Sequence, residues 1–130
     1  MKTGVVLVPH ELLKSHEQID QRHVRQLLRQ IQQDGFIDEP VIIDRHTMII
    51  LDGHHRCAVA KALGLKKIPV YFVDYQCPTI KVGAWREGEQ VTKSMVIRAG
   101  LAGPLFKPKT SRHCILQRPH GLKILLKFLK

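Results

Sequence analysis

Residues 48–70, MIILDGHHRCAVAKALGLKKIPV, decide how this chain is read. The apolar run Met48, Ile49, Ile50, Leu51 stops at Asp52 and Gly53. Two histidines and an arginine then open an Ala-rich segment, and Gly64 separates it from a second apolar run at Ile68. This is the pattern of strand, turn, helix, strand. The spacing predicts a helix from His54 or His55 to Leu63, with Ala58, Val59, Ala62 and Leu63 turned inward and Gly64 ending it. A strand that passes into a helix leaves unpaired backbone N–H groups at the helix start, and Gly53 lets the chain bend and a ligand approach closely. With the positive end of the helix dipole, such a turn is an anion pocket. His54, His55 and Arg56 add side-chain donors, and Arg56 can hold two phosphate oxygens in a fork. Asp52 is the misfit, because a carboxylate repels phosphate. It becomes intelligible if it holds Mg²⁺, orients a cation or takes part in proton transfer. The plainer alternative is that Asp52 only caps the helix and the histidines face water.

Outward from this turn, VIID and MIIL read as two short strands joined at DRHT, and KIPVYFVDY as a further buried strand. GVVLVP, closed by Pro9, predicts a first strand. Asp20 is a good N-cap for an amphipathic helix over residues 21–33, in which Val24, Leu27, Leu28 and Ile31 recur at helical spacing before Gly35. TIKVGAW reads as a strand, and Thr92 caps a helix carrying Met95, Val96 and Ala99. The final GLKILLKFLK has helix character with Lys123, Lys127 and Lys130 along one face, a terminal helix docking on its own domain or, alternatively, one lying on a membrane surface. These elements make one mixed α/β domain, without repeats or linkers.

The 130 residues suffice for a single modest core. No apolar run reaches the length of a membrane span, and no signal-peptide pattern begins the chain. Cys57, Cys77 and Cys114 are odd in number and widely spaced, as in a reduced, cytoplasmic protein whose thiols are small buried hydrophobes. The formal charge of +10 is lopsided: residues 1–76 carry ten Lys/Arg against nine Asp/Glu, whereas residues 77–130 carry eleven against two. The second part attracts polyanions, whether nucleotides, nucleic acid or acidic membranes.

Two further groups fit an anion site. Glu17, beside His16 in a polar loop, is placed to act as a general base, or is a solvated surface acid. Lys109, Thr110, Ser111, Arg112 and His113 set hydroxyls among cations without an acid, which suits a phosphate or carboxylate, or makes an ordinary basic loop. No His/Cys set has zinc-site spacing, and there is no Ser/His/Asp elbow.

The stretch VIIDRHTMIILDGHHRCAVAKALGLKKIPVYFVDY resembles the core of the ParB/sulfiredoxin superfamily, a strand, a Gly-containing phosphate turn and a short helix. Sulfiredoxins carry a catalytic cysteine in a G-C-H-R turn, where this chain has His54. Partition-type ParB proteins carry a G-E-R-R turn and a following helix-turn-helix domain, for which the 54 residues after Gln76 leave little room. The branch matched best is the free L-serine kinases, over about residues 5–113, through HEQ, DGFIDEPVIID, LDGHHR, IPVYFVDY, VTKSMVIRAGLAG and KPKTSRH. The pairing of DGHHR with KTSRH is its specific part.

The resemblance implies a single ParB/sulfiredoxin-like domain of the α/β (α+β) class, a small mixed sheet flanked by short helices, over residues 1–113, with residues 114–130 as a basic tail or helix of the same domain. It implies phosphoryl transfer from ADP or ATP to the hydroxyl of free L-serine, giving O-phospho-L-serine, with Mg²⁺. Glu17 would activate the serine hydroxyl, and Asp52 would be the second essential acid, near the phosphoryl group and the metal. Gly53, His54, His55 and Arg56 would cradle nucleotide phosphates. Lys109, Thr110, Ser111, Arg112 and His113 would hold the amino acid, with Trp85 as a wall of its pocket. Cys57 stands where a tyrosine is common, and Ser94 and Met95 replace acids. The alternatives are a ParB-like nucleic-acid-binding regulator and an enzyme acting on another hydroxylated metabolite.

Overall fold

The computed structural model describes residues 4–130. Its centre is a four-stranded mixed sheet made of β1 (Val5–Pro9), β3 (Val41–Asp44), β4 (Ile50–Asp52) and β5 (Lys67–Val73), in the order β1-β5-β3-β4. β5 runs antiparallel to β1 and parallel to β3, and β3 runs antiparallel to β4. All four residues of β3 are buried. Val41 and Ile43 enter one apolar cluster and Ile42 another on the opposite face. A strand covered on both faces reads as an unbroken apolar run, which is why VIID shows no polar alternation. Asp44 ends it without an unpaired charge: its carboxylate accepts from Thr47 N–H (3.1 Å), Thr47 Oγ1–H (2.7 Å) and Tyr75 N–H (3.1 Å).

The first face is covered by two helices, α1 (Gln21–Asp34) and α2 (His54–Ala62). α1 forms as its sequence predicts. The Asp20 side chain accepts from Arg22 N–H, Val24 and Ile31 are buried, and Gly35 closes the helix at φ 78°. The second face packs against α3 (Lys93–Ala102), which the Thr92 hydroxyl caps at Met95 N–H, and against the antiparallel pair of β6 (Lys81–Ala84) and β7 (Ser111–Cys114) that flanks α3 in sequence. α3 approaches the sheet at Gly100, where an added Cβ would lie 2.6 Å from Ile49 Cδ1. Among the described residues no helix is long and apolar enough to cross a membrane.

The inward face of α2 differs from the predicted one: His54, Cys57, Val59 and Ala60 are buried, whereas Ala58 is half-buried and Ala62 exposed. Residue 54 itself sits in the interior, and that rotates the helix from the setting its alanines suggest. The C-terminal segment is not a helix either. Ile124 and Leu125 form β8 against β2 (Phe36–Ile37), and a single 3-10 turn follows over Leu126–Phe128. Ten residues repay the cost of helix nucleation poorly, whereas β2 offers an open edge and the core a slot for Leu129, which is fully buried. The Leu129 carbonyl accepts from Lys66 N–H and Lys67 N–H (2.9 and 3.1 Å), fixing the tail to the start of β5. Of the thiols, Cys57 is buried, Cys77 half-buried and Cys114 exposed; only the first is the interior hydrophobe expected of all three.

Candidate active site

β4 hands over to α2 at Gly53, whose φ of 107° and ψ of 21° lie in left-handed space. A Cβ there would also come within 3.1–3.2 Å of the Val41 backbone and side chain, so glycine is required on two counts. Cys57 N–H is the first to close a helical bond, on the Gly53 carbonyl (3.0 Å). The amides of His54, His55 and Arg56 therefore precede the helical ladder, and the turn borders a cavity of about 210 Å³.

The three side chains expected to serve as donors at this turn are already engaged within the protein. His54 is buried and its Nε2 accepts from His16 N–H (3.1 Å). Burial, then the neighbouring His16, holds it well below the ordinary histidine value. His55 Nε2 accepts from Asp20 N–H (3.0 Å), its ring lies 4.2 Å from that of His23, and burial lowers its pKa as well. Both rings are neutral acceptors that tie α2 to the loop before α1. Arg56 donates from Nη2 to Glu39 Oε2 (2.9 Å) and does not line the cavity. The cations that do face it are Lys109 and Arg112.

His16 is the pin of the site. It is fully buried, and its Nδ1–H donates to the Ile50 carbonyl (2.6 Å). Burial depresses its pKa to about 4, so the ring is neutral and Nε2 is left to accept from Ser111 Oγ–H (2.8 Å). Its neighbour Glu17 faces the cavity. Thr110 N–H (2.8 Å) and Ser111 N–H (2.9 Å) both donate to Glu17 Oε1, while Oε2 takes no bond from the described residues. Gln18 N–H donates to the Phe106 carbonyl (2.7 Å) and Phe106 N–H to that of His16 (2.9 Å). Residues 16–18 are thus stitched to β4, α2 and the approach to β7.

Asp52 lines the same cavity, and its Oδ2 accepts from Arg118 Nη2 at 2.6 Å. Trp85 stands half-exposed at the wall with the Arg112 guanidinium 4.8 Å from its ring centre. Ser111 and His113 line the cavity from β7, but the Thr110 hydroxyl turns away to the Lys107 carbonyl (2.7 Å). His113 is pushed down to about 3 by burial, and its Nε2 accepts from the Tyr75 hydroxyl (2.8 Å), whose own pKa burial raises. Of the expected residues, Glu17, Asp52, Gly53, His54, His55, Trp85, Lys109, Ser111, Arg112 and His113 border one cavity, while Arg56 and Thr110 do not. Tyr75 and Arg118 escaped the sequence reading. Tyr75 looks like one more strand apolar, and Arg118 lies in a tail without periodicity, so neither carries a local signal.

The model of the ParB N-terminal domain matches residues 4–82. An ATP-dependent L-serine kinase of Desulfurococcus mucosus is 34% identical over 89 residues, 64% of this chain and 34% of that protein. A ParB-like protein of Sulfolobus acidocaldarius is 36% identical over 73 residues, 56% of this chain and 36% of that one. The matched region thus spans about a third of the length of these relatives. A solved free serine kinase in complex with AMP superposes over all of this chain and 95% of its own with a TM-score of 0.89, at 17% identity, a likeness of fold. The match to the family covers more than half of the 130 residues, and the chain belongs to the ParB N-terminal domain family.

Proposed function

We propose that this protein is a cytoplasmic phosphotransferase that moves a phosphoryl group from ATP or ADP to the hydroxyl of free L-serine. The observation that carries this reading is the meeting of two carboxylates, Glu17 and Asp52, with the open amides of α2 around one cavity. An anion site needs the amides; the acids beside it suit proton transfer and a cation that bridges to phosphate. The similarity to proteins named as L-serine kinases supports the choice of substrate. At about 210 Å³ the cavity is smaller than the roughly 300–1,000 Å³ of sites that engulf whole ligands, and it suits the reacting ends of two substrates.

Phosphate oxygens settle on the amides of His54, His55 and Arg56, with Lys109 and Arg112 supplying charge. The amino acid lies against Trp85, with its carboxylate toward Arg112. Glu17 Oε2, the oxygen not spent on Thr110 and Ser111, takes the proton as the serine oxygen forms its bond to phosphorus. The bond from phosphorus to the nucleotide oxygen breaks, and the shortened nucleotide leaves with that electron pair. Such a transfer depends on alignment and charge cancellation, which fixed amides and anchored side chains provide.

Among the described residues no three His, Cys, Asp or Glu converge on a metal site. A lone carboxylate at a phosphate turn nonetheless suits Mg²⁺, which takes one or two protein carboxylates and fills its shell with phosphate oxygens and water. Asp52 is the residue that would hold it, and the ion would neutralise charge on the transferred phosphoryl group. Residues 1–113 hold the acids, the phosphate turn and the basic set in this reading, and residues 114–130 complete the same domain.

Incubating the protein with L-serine, Mg²⁺ and either ATP or ADP should yield O-phosphoserine and the shortened nucleotide. A second reading, a nucleic-acid-binding regulator, draws on the surplus of nine positive charges after residue 76. No product with either donor, together with a salt-sensitive shift of DNA, would establish that reading instead.

A further inference from the structure

Arg118 lies beyond the residues matched to the family, in the segment that sequence alone leaves as a tail. Its position is nevertheless built. β7 ends at Cys114, Ile115 is buried in the second apolar cluster, and the chain turns at Gln117 with φ 57°, left-handed space that residues with a Cβ rarely enter. The turn carries Arg118 back over the β4–α2 junction, where Nη2 meets Asp52 Oδ2 at 2.6 Å. The pair is partly open to solvent, with side-chain exposures of 28% and 45%. An ion pair so placed adds little to stability and separates easily. What it does is cancel Asp52, one of the two acids that border the cavity of the open α2 amides. Without it, the Asp52 carboxylate would repel the phosphate that those amides attract.

Resting on the kinase reading of this cavity, we infer that Arg118 is a phosphate-binding residue of the site, held on Asp52 until a metal–nucleotide complex arrives and exchanges partners with the pair. The incoming complex brings a dication and a polyphosphate together. Asp52 passes from the guanidinium to the dication, and the guanidinium, freed within reach, passes to phosphate oxygens. Each charge exchanges one opposite charge for another, so no group is left bare, and planar forked donors match phosphate as well as carboxylate. The exchange makes the worth of Arg118 conditional: with nucleotide alone, nothing releases it from Asp52.

Calorimetric titration with ADP, in the absence of serine, tests this without turnover. In Mg²⁺, Arg118→Ala should weaken ADP binding about ten- to a hundred-fold, the worth of a charge-assisted hydrogen bond. In EDTA the same substitution should cost clearly less, about two- to five-fold, because Arg118 then only screens Asp52 and makes no phosphate contact of its own. Arg118→Lys, which keeps the charge without the fork, should fall between, and serves as the folded comparison if the alanine variant is unstable. Tighter binding by the alanine variant would make Arg118 a simple block on Asp52. Equal losses with and without the metal, or no loss in either, would make it a structural contact, and each of these results overturns the inference. Failure of the wild-type protein to bind ADP at all would remove the inference and the kinase reading together. Metal-conditional binding without phosphoserine formation would keep Arg118 in the site and sink only the reaction.

Discussion

Glu17 has two oxygens with different duties. Oε1 fastens the entry to β7, and Oε2 takes no bond from the described residues. Glu17→Gln keeps an acceptor for the Thr110 and Ser111 amides but removes the base. Turnover should fall by about 10²–10⁴-fold with nucleotide affinity nearly unchanged, as rate assays paired with ADP titration would read. A parallel loss of binding would show that the latch, not the base, dominates. His16 makes the site sensitive to acid. Its folded pKa of about 4 lies below the ordinary histidine value of 6.5, so the unfolded chain takes up the proton first as pH falls. The stabilisation from keeping His16 neutral is complete above pH 6.5 and disappears progressively down to about pH 4, and His54 and His113 shift in the same direction. Denaturant midpoints measured across this window should drop steeply, and less steeply for His16→Gln. The acid at position 52, the glycine and the basic set of residues 109–113 were legible because each is odd for its place in the sequence. The neutrality of His54 and His55 was not, because only the fold reveals that backbone amides from distant segments point at their rings.

At the scale of elements, periodicity and caps carried most of the reading. α1 was legible from Asp20 to Gly35, since both ends and the apolar stripe are local features. β3 and β5 were legible as apolar runs, although their parallel pairing was not, because register between distant strands leaves no mark in either. The tail misled because GLKILLKFLK has helical composition, yet its partner, β2, is a two-residue strand too short to show. α3 offers a sharp test of packing. A methyl group at residue 100 would meet Ile49 Cδ1 at 2.6 Å and Cγ1 at 2.7 Å, and Ile49 is fully buried. Gly100→Ala should therefore destabilise by about 1–3 kcal/mol, despite alanine's better helix propensity. Ile49→Val, which removes Cδ1, should restore part of that loss in the double variant, as measured by urea unfolding.

For the whole molecule, the uneven charge matters more than its total. The balance of +9 after residue 76 includes Lys109 and Arg112, which line the cavity, and Arg118, which pairs with Asp52 of its wall, whereas the first 76 residues are nearly neutral. A field of this kind concentrates anions near the mouth and fades as salt shortens its range. Raising ionic strength from about 0.05 to 0.5 M should increase KM for the nucleotide several-fold and leave that for serine, a net-neutral zwitterion, much less affected. A similar response for both substrates would place the charge outside substrate capture. The asymmetry was plain in the sequence; its convergence on one opening was not, since it depends on β7 and the turn at Gln117 bringing the tail across β4. One consequence of the cavity wall is optical. Trp85 is the sole tryptophan of the chain, half in water, with a guanidinium resting on its ring. Excited near 295 nm, the protein should emit from this one indole, so a bound amino acid that excludes water or draws Arg112 aside should shift its emission, making the unlabelled protein its own indicator of occupancy.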